Sequence, residues 1–231
     1  MTTALSTRRR GRLAGAAYLT IFVTGLIYMS FIPDTGLLTS DWGRVVDHIV
    51  ANQTAFWIGF PFFLLSIVSR LVFAQLFYGL FRDVNIAVNR LGVLLYLVGV
   101  TMQVVMAVCL MGPVVLFDGA EYRAAFTPEQ LHALATLAMQ FYFLTYNVAL
   151  AFFGLYSVLI GYIMWRSSLV PRAVGVCLVL SGVGWLTYFV PPVAAQLLPY
   201  NLIVGLSGEA AIILWLLVVG LNAPSLRPRL L

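Results

Sequence analysis

Two side chains of opposite formal charge fall deep inside apolar runs of this chain: Arg70, within Ile-Val-Ser-Arg-Leu-Val-Phe, and Glu209, within Leu-Ser-Gly-Glu-Ala-Ala-Ile. A carboxyl group taken out of water must be offset by a proton or by a partner. Kept neutral in a dry pocket, it is a competent general acid. Held ionised by a guanidinium, it instead forms half of an acid–base pair that can receive a polar head group. Glu209 and Arg70 are therefore the candidate catalytic pair, and a buried bridge that only fixes helix register is the competing reading.

Aromatic and amide side chains extend the candidate site. Tyr142, Tyr146, Phe153 and Tyr156 share one helical face, as do Cys177, Ser181, Trp185 and Tyr188, and as do Thr20, Thr24 and Tyr28. Hydroxyls on three faces imply an interior that is not purely apolar, because a hydroxyl facing lipid gains no partner. Asn201, Gly205 and Glu209 at i, i+4 and i+8 form a small, polar stripe. Tyr142, Tyr146, Tyr156, Trp185, Tyr188, Gln103 and Asn201 are taken as substrate-lining candidates. Packing, interface anchoring for Tyr28 and Tyr188, and interhelical hydrogen bonding for Gln103, Gln140 and Asn147 remain the alternatives.

The elements that must position these residues are membrane spans. Of 231 residues 62% are apolar and 9% charged, against roughly a quarter charged in a soluble domain. Crossing a hydrocarbon core of about 30 Å takes about 20 mostly apolar residues, and six segments suffice: 13 to 33, 55 to 81, 90 to 116, 134 to 165, 171 to 192 and 199 to 221. Spans two and six then run in the same direction. Arg70 lies about 14 residues and Glu209 about 10 from the same membrane face, a depth difference of about 6 Å that tilt and a long side chain absorb.

All thirteen cations are arginines, and their placement sets the orientation. Arg8, Arg9, Arg10, Arg12, Arg82, Arg90, Arg166, Arg172, Arg227 and Arg229 fall on the side of the termini, Arg44 and Arg123 on the other. Both termini are therefore expected in the cytoplasm, with tails at 1–12 and 222–231 around a six-span domain at 13–221. The first span is too long for a secretory signal and is expected to be retained.

Two amphipathic segments are expected on the external side. Trp42, Val45, Val46, Ile49 and Val50 recur at helical spacing, suiting a helix on the membrane surface. Thr127-Pro128-Glu129-Gln130 supplies an N-cap hydroxyl, a proline at the first helical position and a glutamine at the third, so the fourth span is expected to begin outside the bilayer. Either these caps close the outer face of the bundle or they seat the loops among headgroups. Pro61, Pro113 and Pro191-Pro192 are expected to kink or end helices.

Absences narrow the chemistry. The chain has no phosphate loop, no dinucleotide loop, no His-Glu-x-x-His helix and no Cys-x-x-Cys pair, so no cofactor or metal is expected. Cys109 and Cys177 read as small hydrophobes. His48 and His132 sit in the external segments, with surface solvation as their expected role. The clustered arginines argue for membrane lipid and against nucleic acid as partner.

Arg12-Leu-Ala-Gly-Ala-Ala-Tyr18-Leu, Pro171-Arg172-Ala-Val-Gly175, and Gly208-Glu209 with Leu214-Trp215-Leu-Leu and Gly220 resemble the bacterial multi-pass proteins grouped as domain-of-unknown-function family 4386. The resemblance implies a six-helix membrane protein of no settled activity, with Asp or His common midway along the second and fourth spans. Here those places hold Arg70, and Tyr142, Phe143 and Tyr156.

Three functions follow as expectations: a pocket for a lipophilic, polyprenyl-like molecule in which Glu209 serves an isomerase or cyclase; a small proton-linked transporter or channel, for which a homodimer is expected; or a non-catalytic membrane subunit. Fold alone does not rank them.

Overall fold

The computed structural model describes residues 2–32 and 41–221, with side chains from Arg8 onward. The expected tail at 222–231 lies outside the described residues, as do Pro33 and Asp34. The described chain is all-α, and six helices are long and apolar enough to cross a membrane. Ten α-helices follow one another: α1 Thr2–Phe31, α2 Trp42–Ala51, α3 Gln53–Phe81, α4 Ile86–Leu110, α5 Gly112–Asp118, α6 Ala120–Ala125, α7 Pro128–Arg166, α8 Arg172–Leu186, α9 Pro191–Leu197 and α10 Tyr200–Val218.

The boundaries depart from the expected spans where local chemistry overrides hydropathy. α1 takes in the arginine cluster, since arginine is a good helix former and a charge need not end a helix. α3 runs unbroken through Pro61. The third span is interrupted at Met111, and α5 restarts with Pro113 in its first turn, where its missing N–H is harmless. The fifth ends in a 3₁₀ turn at Thr187–Phe189, and Pro191-Pro192 open α9 instead of closing a helix.

The chain packs as two compact units, one of Met1–Leu19, Arg70–Gly99 and Leu150–Leu231, the other of Thr20–Ser69 and Val100–Ala149. In the first unit α8 lies against α7 through paired glycines. A Cβ at Gly154 would meet the Gly182 carbonyl oxygen at 2.8 Å, and one at Gly161 the Gly175 carbonyl oxygen at 2.7 Å. α8 and α10 are similarly close, with Ser181 Oγ donating to the Gly205 carbonyl at 2.6 Å. Gly220, at φ 77°, closes α10 in the left-handed conformation that favours glycine. Arg12 Nη2 donates to the Val218 carbonyl at 3.1 Å, covering an orphan acceptor of that helix end.

In the second unit α2 turns its apolar face into protein. Trp42, Val45, Val46 and Ile49 are buried, α2 packs on α5, and the Trp42 ring lies 5.1 Å from Phe143. That apolar face is thus covered by protein of its own unit. The Thr127 capping box forms as the spacing requires: Gln130 N donates to Thr127 Oγ1 at 3.4 Å, and Thr127 N to Gln130 Oε1 at 2.9 Å. From there α7 runs 39 residues, about 58 Å at 1.5 Å per residue, well beyond a hydrocarbon core of about 30 Å. The histidines do more than face solvent. His132 Nε2 hydrogen-bonds Asp47 Oδ1 at 3.1 Å, tying the start of α7 to α2, and His48 buries its Nε2 without a partner.

Candidate functional site

The residues that hold Glu209 are set by a glycine one turn before it. A Cβ at Gly205 would stand 2.5 Å from the Trp185 indole, so only glycine lets that ring lie flat on α10. One turn further, on the same face, Glu209 presents its carboxylate to the edge of the same ring. Trp185 Nε1, which can only donate, gives its hydrogen to Glu209 Oε1 at 2.7 Å. The Tyr18 hydroxyl is a second polar neighbour of the carboxylate.

Arg70, on α3, is brought within electrostatic reach of Glu209. The two do not close into a salt bridge: the ion pairs among the described residues are Arg82 with Asp83 and His132 with Asp47. The carboxylate is engaged by Trp185, while the guanidinium carbon sits over the Phe153 ring, 4.5 Å from its centroid, in a cation–π contact. Both charged residues remain half-buried.

A shell of rings from four helices of the same unit surrounds Arg70. Tyr96 lies 5.0 Å from Phe153 and 4.6 Å from Tyr156, and Phe73 bridges Tyr18 at 4.3 Å and Tyr96 at 5.7 Å. Tyr96 feels both charges, being next to Arg70 and within the field of Glu209. Its hydroxyl is the hydrogen-bonding neighbour of the guanidinium. The Tyr156 hydroxyl is buried without a hydrogen-bond partner.

The chain belongs to the family described as Domain of unknown function (DUF4386). The family model matches residues 13–220 and so takes in every candidate site residue. No curated protein and no solved structure matches the chain.

In this family member the remaining candidates are distributed as follows. Tyr156 and Trp185 lie in the same unit as Arg70 and Glu209, and Tyr188 packs beside Trp185 with tilted rings, centroids 5.9 Å apart. Asn201 belongs to the same unit, but its amide is fully engaged: Nδ2 donates to Thr187 Oγ1 and the Ala194 carbonyl, both at 3.1 Å, and Oδ1 accepts from Leu202 N. It anchors the turn that carries α9. Tyr142, Tyr146 and Gln103 belong to the second unit. There Tyr142 shares a hydrogen bond with Tyr28, hydroxyl to hydroxyl at 3.0 Å, and Gln103 Oε1 is buried without a partner. Asn147 donates to the Phe143 carbonyl of its own helix.

Tyr18 and Tyr96 are the site residues the sequence did not single out. Tyr96 had a legible signal, as the one polar residue in Leu-Gly-Val-Leu-Leu-Tyr-Leu-Val-Gly-Val, too far from the ends of α4 to be an interface anchor. Among the described residues, no three His, Cys, Asp or Glu side chains gather as a metal site. A depression of 590 Å³ in the second unit, between the end of α1 and the α2–α3 junction, contains none of the candidate residues.

Proposed function

We propose that this protein binds a lipophilic, polyprenyl-like molecule within the membrane, with the polar end of that molecule held at Arg70, and that Glu209 carries the proton in its isomerisation or cyclisation. The observation behind this reading is the open acid–base pair. Arg70 and Glu209 share one aromatic surround without closing on each other, and the Tyr156 hydroxyl, on the ring next to Tyr96, is buried without a hydrogen-bond partner. A bridge serving only helix register would be expected to close, because opposite charges in a medium of low dielectric attract strongly and contact adds charge-assisted hydrogen bonds. A ligand oxygen would complete the hydrogen bonding of these buried groups.

The test is what the purified protein carries. Extracts of wild-type protein in mild detergent, analysed by mass spectrometry, are expected to contain a lipophile that Arg70→Gln fails to retain. An isomerase carrying Glu209→Gln should hold a different isomer of the same mass from that held by wild type, whereas a pure carrier would hold the same one. Absence of any lipophile from wild type would refute the reading. The open pair also suits a proton-linked carrier. Flux of the recovered molecule into proteoliposomes, lost with Arg70→Gln while the retained isomer is unchanged by Glu209→Gln, would favour that second reading.

We further propose that both termini face the cytoplasm of a bacterial inner membrane. Arg8, Arg9, Arg10, Arg12, Arg82, Arg90, Arg166 and Arg172 are exposed on the segments flanking the spans at the termini side, which supports this orientation. With Cys109 and Cys177 replaced by alanine, an impermeant maleimide should label Arg123→Cys in intact cells and Arg166→Cys only after lysis. The reverse pattern would invert the topology.

A further inference from the structure

We infer that the arginine-bearing end of the first unit is a docking surface for anionic phospholipid, whose phosphates pair with its guanidinium groups, foremost Arg166 and Arg172 beside Trp165. The surface shares no residue with the Arg70 site and does not depend on that site being occupied.

Register puts these groups at headgroup height. Tyr18, Phe73, Tyr96 and Tyr156 meet in one layer, their ring centroids 4.3 to 6.3 Å apart. Beyond that layer Asn89 Nδ2 donates to the Tyr78 carbonyl at 3.0 Å, Gly92 faces Ile160, and Gly11 faces Leu221 at the end of α10, so α1, α3, α4 and α7 reach one common end. Counted from the layer, Arg12 and Arg90 come six residues on, Arg82 nine and Arg166 ten. That is about 9–15 Å at 1.5 Å per residue, where half a hydrocarbon core is about 15 Å. Arg172 opens α8 across the turn from Arg166, fixed by the Gly161–Gly175 contact.

Charge at that height is unbalanced. All eight exposed arginines flanking the spans at the termini side belong to this unit, and the carboxylate among them is Asp83, 3.4 Å from Arg82. The other arginines form no ion pair among the described residues. Lipid phosphates are the anions a bilayer offers there. The side chains present suit a phosphate better than a diffuse counter-ion. Lysine would hold the topology as well, yet every cation is arginine, whose planar fork meets two phosphate oxygens at once. Tyr162 and Trp165, 41% and 43% exposed with ring centroids 6.5 Å apart, stand immediately before Arg166, and such half-polar rings settle among headgroups.

The test uses full-length protein released from nanodiscs of phosphatidylcholine mixed with phosphatidylglycerol, with native mass spectrometry reading the ratio of the two lipids retained. Wild type is expected to prefer phosphatidylglycerol, and to prefer it less as salt rises. Arg166→Gln with Arg172→Gln should cut the preference by about tenfold. Arg166→Lys with Arg172→Lys keeps the charge, and with it fold and topology, and should recover only part of the preference. Arg44→Gln with Arg123→Gln, in the second unit, should leave it unchanged. Retention of the two lipids by wild type in their mixing ratio would overturn the inference, as would a preference that the glutamine pair at 166 and 172 does not weaken. Equal weakening by the pair at 44 and 123 would reduce the effect to total charge and overturn the surface. Full recovery with lysine would overturn the pairing of guanidinium with phosphate.

Discussion

Replacing Gly161 by leucine should abolish the folded protein, and Gly161→Ala should lower its stability by about 1–3 kcal/mol. The Cβ added at 161 would stand 2.7 Å from the Gly175 carbonyl oxygen and 2.8 Å from Val179 N, both backbone atoms that cannot swing aside. The reciprocal contact at Gly175, and the Gly154–Gly182 pair seven residues away on both helices, make this a zipper and not an isolated point. Separating α7 from α8 at one pair opens the other. In lipid the loss is not recovered by hydrophobic collapse, because the tails are as apolar as the helices and only close packing holds them together. Gly25 and Gly79 are the controls: a Cβ at either meets nothing within 4 Å, so alanine there should be neutral or stabilising by up to about 1 kcal/mol. The measurement is the unfolding midpoint in detergent, with size-exclusion profiles as the check on folding. Equal midpoints for the alanine variants at 161 and 79 would show that the zipper does not matter.

The spacing of that zipper is legible in the sequence. Gly154 and Gly161, then Gly175 and Gly182, are each seven residues apart in adjacent spans joined by a short turn, the spacing at which two helices keep one seam in register. The six spans themselves were plain, since hydropathy over about 20 residues reports the one constraint a bilayer imposes everywhere. Their ends were not. Arginine at 8–12 and Pro61 sit inside helices because local propensity and neighbouring backbone decide boundaries, and hydropathy is blind to both. The membership of the site divides the same way. Arg70 and Glu209 stand out by charge alone, and Trp185 by its place on the stripe facing them. Tyr18 and Tyr96 enter through tertiary packing that brings α1 and α4 to Arg70, which no spacing within one helix encodes. Asn201 carries the polarity expected of a ligand contact, yet its amide is engaged by the Thr187 hydroxyl before α9 and by the Ala194 carbonyl within it, an acceptor that needs a donor.

Glu209→Leu should destabilise the protein more than the double variant Glu209→Leu with Arg70→Met. The single change removes two things at once. It leaves Trp185 Nε1 without its acceptor, which costs about 1–3 kcal/mol for a buried donor, and it leaves Arg70 without a counter-charge. Breaking a closed buried pair costs about 3–5 kcal/mol. Here the charges are half-buried and not in contact, so the electrostatic share should fall below that range. Removing the guanidinium as well eliminates that share, and a coupling of about 1 kcal/mol or more is expected in the double-mutant cycle. Glu209→Gln should be milder than Glu209→Leu, since its amide oxygen can still accept from Trp185. Adding Trp185→Phe to Glu209→Leu should recover the indole term, separating it from the charge term. The cycle also distinguishes a working site from a bridge that only sets register. In a register bridge, restoring stability restores everything the residues do. In a binding site, the Leu–Met double regains unfolding stability while the retained lipophile stays lost, and a double variant that keeps wild-type lipophile content would remove Arg70 and Glu209 from the site altogether.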